Sequence, residues 1–541
     1  MWQQDYTPLF GSLGFSSLVA ALPIFVLLFL LGVKRTAAWI AALSGLAAAA
    51  LVALVVYRMP MGVMLSAVTY GAAFGLFPIG WIVFWAIVLY RITIATGKFE
   101  IIKGSIGSLT EDRRLQALLI AFGFGAFIEG AAGFGTPVAI AAAMLAGLGF
   151  SPFYSAGICL LANTAPVAFG SIATPILTLA VITGLDLMDL SGAVGRICAP
   201  VSLIVPSYLI LVMGGWRGWR GVMPAALLCG ASFAGAQYLI SNYVGPQLTD
   251  IMSSLTALGA LILLLRFWKP KDSFSLEGNS AEHVVPERHS FAATILAWSP
   301  YFLLVIFVLL WGQNSIRVVL NSVTAQIPWP GLHNQIERVA PLVTKSSPYP
   351  AVFTLNWLSA SGSACLLACI LSVLLLRMSL KQVAEVFGTT CKQLFYSMVT
   401  IAAVLALAFL MNYSGATVTL GLAFAATGVL FPYFSAMLGW LGVFLTGSDT
   451  SANALFGNLQ VVTAGRLGFD PVLMAASNSS GGVMGKMISL QSIAVAAAAT
   501  GMPRADEARL FRTTLWHSIV LASAVGLVTV FYAYVAPQLA P

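Results

Sequence analysis

The sequence predicts an all-α polytopic membrane protein: inverted repeats holding about twelve full transmembrane helices, two re-entrant hairpins and two broken helices. Three observations carry that prediction. Of 541 residues, 59% are hydrophobic and only 8% charged, too little polar surface for a soluble protein of this size. Apolar runs of roughly 20 residues, long enough to cross a hydrocarbon core, recur from end to end. Some of them are broken by glycine, proline, amides and carboxylates, which persist at membrane depth only where backbone is buried in protein or lines a wet cavity.

Plain runs fall at about 13–33, 37–57 and 67–91, then at 196–214, 221–240, 250–266, 293–312 and 351–376, and finally at 394–412, 416–431 and 513–535. Lysine and arginine mark the cytoplasmic side of such spans. Lys34 and Arg35 follow the first run, and the cluster from Arg91 to Arg114 follows the third. Alternation then places 19 of the 26 basic residues inside, Arg288 of the polar 266–292 loop among them. Six lie outside (Arg58, Arg196, Arg317, Arg338, Lys345, Arg466), and Lys486 lies within the membrane. Both termini are expected on the periplasmic side. The first run is retained as a span, because MWQQDYTPLFG lacks the basic n-region of a secretory signal.

An internal duplication shows through. GAFIEG at 125–130 matches GVFLTG at 442–447, and LGFSP at 148–152 matches LGFDP at 467–471. Thr96-Gly97 pairs with Ser414-Gly415, all three at an offset near 318. Charge gives matched segments opposite directions, so residues 1–214 and 293–541 are expected to be inverted repeats joined by 215–292. Each repeat contains a hairpin, 115–149 or 434–465, followed by a broken helix, 153–182 or 472–500. Inverted repeats with interrupted helices at mid-membrane mark secondary transporters.

The chemistry concentrates at those interruptions. The first hairpin tip reads Glu129-Gly-Ala-Ala-Gly-Phe-Gly-Thr136-Pro137, and the second carries Ser448, Asp449, Thr450, Ser451 and Asn453. The first broken helix holds Asn163, Thr164 and Pro166, with a second break near Ser171–Pro175; the other holds Ser477, Asn478, Ser479 and Ser480, then Lys486, Ser489 and Gln491. A broken helix turns N-terminal amides and a positive dipole end towards the gap, which suits a small anion. The expected substrate contacts are Asn163, Thr164, Ser448, Thr450, Asn453, Asn478, Ser479, Ser480, Lys486 and Gln491. The carboxylate is expected on amide ends near Asn163-Thr164 and Ser479–Gly482. Lys486 reads as a cation facing the substrate or as a counter-ion to Asp449 or Glu129. Carboxylates moved out of water favour their neutral form unless paired, which makes Glu129 and Asp449 the proton-coupling candidates.

Other chemistry is excluded or unsupported. The net charge of +8 belongs to loop ends, so no nucleic-acid partner is implied; the partners are a lipid bilayer and a small carboxylate. There is no HExxH, P-loop or paired acidic metal motif, so neither an enzyme nor a metal site is expected. The six cysteines show no CxxC spacing and read as small packing residues. His517 opens the last run as an interfacial residue, and His283, His289 and His333 fall in loops.

At EGAAGFGTPVAI (129–140), NTAPVAFG (163–170), GWLGVFLTGSDTSANALF (439–456) and SSGGVMGKMISLQSIA (479–494), the chain resembles the L-lactate permease family. That resemblance implies uptake of L-lactate, D-lactate and glycolate with protons across the bacterial inner membrane, with no cofactor beyond the proton gradient. Two positions depart from the family pattern: Leu490 stands where relatives commonly have proline, and Thr136 where they often have alanine. The alternatives are a sodium-coupled mono- or dicarboxylate carrier, an anion channel, and an integral-membrane enzyme acting on lipid.

Overall fold

The computed structural model of the chain describes residues 1–133, 135–272, 274, 290–343 and 345–539. Arg288, His283 and His289 lie outside them. Helices dominate. Among the described residues, ten are long and apolar enough to cross a membrane, or up to twelve when each bent pair is one span. The exposed surface identifies the surrounding solvent. Helix Leu13–Gly32 exposes Phe15, Leu18, Leu22, Phe25 and Phe29 on one face, at the three- and four-residue spacing of a helical stripe. An apolar stripe facing outward is a surface for lipid, and the protein is a multi-pass membrane protein.

The two hairpins form as expected. In the first, Arg113–Gln116 leads through 117–124 into helix Gly125–Ala131, and Thr136–Gly147 returns. Arg113, at one root, donates to the Leu148 carbonyl at the other, which closes the base. The second pairs Phe431–Thr446 with Asp449–Leu467, and Gln460 Nε2 donates across the arms to the Ser435 carbonyl at 3.2 Å. Both broken helices are present. Pro152–Ala162 meets Val167–Thr183 at 69°, and Pro471–Ile488 meets Leu490–Thr500 at 42°. Ser151 and Asp470, in the matching LGFSP and LGFDP motifs, cap the two outer halves by accepting from Tyr154 N and Leu473 N.

Several spans differ from the sequence expectation. The run at 67–91 belongs to a 35-residue stretch, Met61–Ala95, packed on another of the same length, Leu380–Ser414. The runs at 196–214 and 221–240 are two separate arms, as expected, within the stretch Leu187–Tyr243, whose backbone leaves helical geometry at Gly215 (φ 61°) and Val222. The run at 416–431 is no full span. Helix Ala416–Phe424 has nine residues, about 14 Å at 1.5 Å per residue and half a hydrocarbon core. Likewise 351–376 yields the strand Val352–Leu355 before helix Ser361–Leu375 begins. Apolarity alone overstated both, because it does not separate a buried strand or half-helix from a span.

Short strands cover one end of the bundle. Trp2–Gln3 pairs in parallel with Ile336–Arg338, which also pairs with Ser347–Pro348, while Ala325–Pro328 pairs antiparallel with Val352–Leu355. Gln4 Nε2 caps the buried C-terminal end of Leu380–Ser414, donating to the carbonyls of Asn412 (3.0 Å) and Tyr413 (2.9 Å). The N-terminus and the 312–350 segment thus share one face. Five cysteines are buried and Cys391 is exposed.

Candidate functional site

Both hairpin tips and both broken helices border one small cavity of about 130 Å³. Glu129 reaches it from the first hairpin, and Gly170, Ser171, Thr174 and Pro175 from the first broken helix. The second hairpin contributes residues 446–451, and the second broken helix contributes Lys486 and Gln491. Ser397, Thr400 and Ile401 of Leu380–Ser414 close one side, with Ala38.

Asp449 is the first residue of its helix. Ser448, the N-cap, accepts from Ser451 N at 3.2 Å, and an anion at that end is favoured by the unpaired amides and the dipole. Behind the cavity a buried relay holds the carboxylate. Ser479 Oγ donates to Asp449 Oδ2 at 2.6 Å, and Asn453 Nδ2 lies 3.4 Å from the same oxygen. Asn478 Nδ2 donates to Asn453 Oδ1 at 3.0 Å, and Gln460 Nε2 to Asn478 Oδ1 at 3.0 Å. The other oxygen, Oδ1, has no partner and faces Gly482, where an added Cβ would come within 2.5 Å of it.

Glu129 sits differently. It is in the last turn of Gly125–Ala131, is 4% exposed, and leaves Oε2 without a hydrogen-bond partner. Gly170 admits it; a Cβ there would stand 2.6 Å from Oε1. Asn163 lies nearby with both side-chain polar atoms unpartnered. The backbone beside Gly170 is strained. Ser171, Ile172 and Ala173 are all left-handed (φ 47°, 54° and 60°), at roughly 1–2 kcal/mol each for side-chain-bearing residues. Such strain persists only where its surroundings impose it. Here Ser171 Oγ donates to the Ala132 carbonyl at the first hairpin tip (2.8 Å), and Thr174 Oγ1 to the Ser171 carbonyl (2.6 Å).

Lys486 is buried, and its Nζ donates to the Gly447 carbonyl at 2.8 Å. No described carboxylate lies within 4.0 Å of it, so it forms no direct ion pair. Its remaining N–H groups are available to the cavity.

Of the expected contacts, Ser448, Thr450, Lys486 and Gln491 line the cavity with Glu129 and Asp449. Asn453, Asn478 and Ser479 stand one layer back, in the relay. Thr164 donates to the Leu161 carbonyl at 2.8 Å, and Ser480 is buried without a partner. The amide ends expected near Ser479–Gly482 do not exist. These residues lie within the continuous helix Pro471–Gly485, where the amides serve the helix, and the break falls at Ser489, which caps the next segment by accepting from Ser492 N at 3.2 Å. Serine and glycine loosen a helix without breaking it when neighbours satisfy its backbone.

Sequence reasoning missed Asp250. It lies in helix Thr249–Phe267, is 1% exposed, has both carboxylate oxygens unpartnered, and packs on Gly130 next to Glu129. An acid at the margin of an apolar run reads as interfacial; its partner 120 residues earlier in the chain is invisible there. Among the described residues no group of three or more His, Cys, Asp or Glu converges to hold a metal.

Interrupted helices around a buried polar cavity define an all-α, multi-pass membrane protein with a polar recess between its hairpins. The chain belongs to the L-lactate permease family, whose model matches residues 16–536. It is 45% identical to glycolate permease GlcA of Escherichia coli (strain K12), over 99% of this chain and 98% of that one. It is 46% identical to L-lactate permease of Bacillus subtilis (strain 168) over 100% of both. Among solved structures it is similar to the Alcanivorax borkumensis YdaH transporter, with TM-score 0.47 and 13% identity over 88% of this chain and 89% of that one.

Proposed function

We propose that this protein is a secondary active transporter that imports lactate and glycolate with protons across the bacterial inner membrane. The names of its relatives support the substrate class. The observation that carries the reading is the cavity itself: a basic side chain with unused donors, a helix N-terminus and hydroxyl groups converge on a space sized for a molecule of a few heavy atoms, beside two buried carboxylates. The substrate carboxylate sits between Lys486 and the amides at the start of Asp449–Leu467. The 2-hydroxyl meets Ser448, Thr450 or Gln491. Asn453, Asn478 and Ser479 act through Asp449 by fixing it. Glu129 carries the proton.

Inverted repeats make such a site accessible from either side. Their support is positional. Met61–Ala95 and Leu380–Ser414 correspond at an offset of 319 residues and end within two residues of left-handed Gly97 and Gly415, and capping Ser151 and Asp470 share the 319-residue offset. The distribution of basic residues supports a periplasmic N-terminal face.

Labelled lactate taken up by proteoliposomes under an imposed pH gradient tests the reading. Accumulation is expected to follow the gradient and to survive replacement of sodium by choline. Uptake that needs sodium and ignores the gradient transfers coupling to sodium, and unitary currents without accumulation would make the protein a channel.

A further inference from the structure

A second, larger cavity, of about 580 Å³, lies on the face that carries the N-terminus. We propose that it is an anion-capture vestibule, in which a small carboxylate binds Arg338 before it passes to the central cavity. The nature of the anion rests on the carrier reading above; the existence of an anion site does not.

The charge of the cavity is one-sided. Arg338 and Arg466 line it with Asn412 and Asn458, and no described aspartate or glutamate does. Arg338 lies on the strand Ile336–Arg338, where side chains alternate between faces. Its neighbour Glu337 is taken by Gln3, whose Nε2 donates to Glu337 Oε2 at 2.7 Å. Arg338 therefore faces the cavity without an acidic partner: no described carboxylate lies within 4.0 Å of it. Its Nε is buried and unpartnered, Nη2 donates only to Ser347 Oγ at 3.2 Å, and the guanidinium lies 5.0 Å from the Tyr349 ring centroid. A stacked guanidinium with open donors matches a carboxylate in shape and charge. Arg466 also borders the adjoining cavity lined by Asp5, which leaves Arg338 as the anchor.

Position connects the two cavities. Three helices run from one to the other: Gly170–Thr183 from Thr174 to Thr183, Asp449–Leu467 from Asp449 to Arg466, and Leu380–Ser414 from Ile401 to Tyr413. From Ile401 to Asn412 the rise is about 16 Å. Between them is a packed layer. Gly457 of Asp449–Leu467 abuts Leu179 of Gly170–Thr183, where a Cβ would come within 2.6 Å of Leu179 Cδ1. A cationic recess above a closed layer raises the local anion concentration where an opening path would begin.

The test uses the full chain in sealed vesicles, with exposed Cys391 changed to Ser and Asn458→Cys as reporter; Val461→Cys is the second reporter if the first does not fold. Thiol modification from the N-terminal face is timed with anionic and cationic methanethiosulfonates of similar size. The anionic reagent should be favoured by about tenfold over its ratio on a free thiol. Arg338→Gln should remove most of that preference, Arg338→Lys should restore part of it, and millimolar acetate should slow the reaction. An unchanged ratio in Arg338→Gln overturns the anion site whatever the protein transports. In uptake assays Arg338→Gln should raise the lactate KM several-fold at low salt with little change in kcat, and the difference should shrink as salt is added. Charge-selective labelling combined with an unchanged KM at every salt concentration would overturn the capture role.

Discussion

In the first hairpin the carboxylate precedes the break, in the last turn of Gly125–Ala131; in the second it follows the break, as the first residue of Asp449–Leu467. The helix dipole therefore opposes a charge on Glu129 and supports one on Asp449. Hydrogen bonding runs the same way. Ser479 and Asn453 serve Asp449, whereas Glu129 Oε2 has no partner and its neighbours Asn163 and Asp250 are themselves unsatisfied. On the reading proposed above, the two tips divide the labour: Asp449 shapes the binding surface, and Glu129 takes up and releases the proton.

The sharpest way to break this contrast is to neutralise each acid. Glu129→Gln should abolish pH-driven accumulation while leaving lactate–lactate exchange within a few-fold of normal. Asp449→Asn should impair exchange and accumulation together, because it disrupts the binding surface. If the two variants behave alike in paired exchange and gradient assays, the division of labour is wrong.

Lys486 is anchored on the second side, by the Gly447 carbonyl of that hairpin. Removing a charge-assisted hydrogen bond costs roughly 1.5–3 kcal/mol, so Lys486→Ala should weaken lactate binding by about 10- to 150-fold with expression intact. Unchanged affinity in equilibrium binding would remove Lys486 from the site.

The next test asks whether the two carboxylates are seated alike despite their different surroundings. Gly170→Ala and Gly482→Ala each place a methyl within 2.6 Å or less of a carboxylate oxygen. Each should cost about 1–3 kcal/mol of stability, as overpacking does. The first should alter coupling and the second substrate affinity. Thermal unfolding in detergent gives the stability cost, and uptake kinetics separate the two defects.

How much of this was legible beforehand follows from which interactions are local. Glu129, Asp449 and Lys486 stand out in the sequence because a charge in an apolar run needs a reason. The hairpins and caps repeat in sequence because turn chemistry is local. The amide ends expected near Ser479–Gly482, by contrast, are absent, because serines and glycines crowd there while the helix continues towards the break at Ser489. Nor does the composition of Ser171-Ile-Ala173 announce a left-handed turn; contact with Ala132, 39 residues away, imposes it. Asp250 escaped for the same reason.

That left-handed turn has no counterpart in the second broken helix, which resumes from an extended Ser489 (φ −64°, ψ 135°). Ala173→Gly should relieve part of the first side's strain and stabilise the protein by about 0.5–1 kcal/mol, after the entropy glycine adds to the unfolded chain. A lower melting temperature would mean that the turn is not strained.

The smallest effect concerns the hairpin roots. Arg114, fully buried, pairs with Asp112 (2.7 Å) and Asp272 (2.8 Å), whereas no described ion pair holds the second root. The Arg114 hydrogen bonds hold the Asp272 carboxyl below the usual aspartate range. A group lowered on folding stabilises the fold above its unfolded value, near 3.9, and that contribution fades as pH falls through the folded value. Asp272 has a half-exposed side chain (50%), so solvent screening limits it to less than about 1 kcal/mol. Asp272→Asn should therefore lower the melting temperature by a degree or two near neutrality, and its melting curve should converge with that of the wild type as the buffer is taken towards about pH 3. A gap that stays constant across that titration would mean that the Arg114–Asp272 pair acts through packing on Gly221, which both side chains abut, rather than through charge, and the two roots would then differ in shape alone.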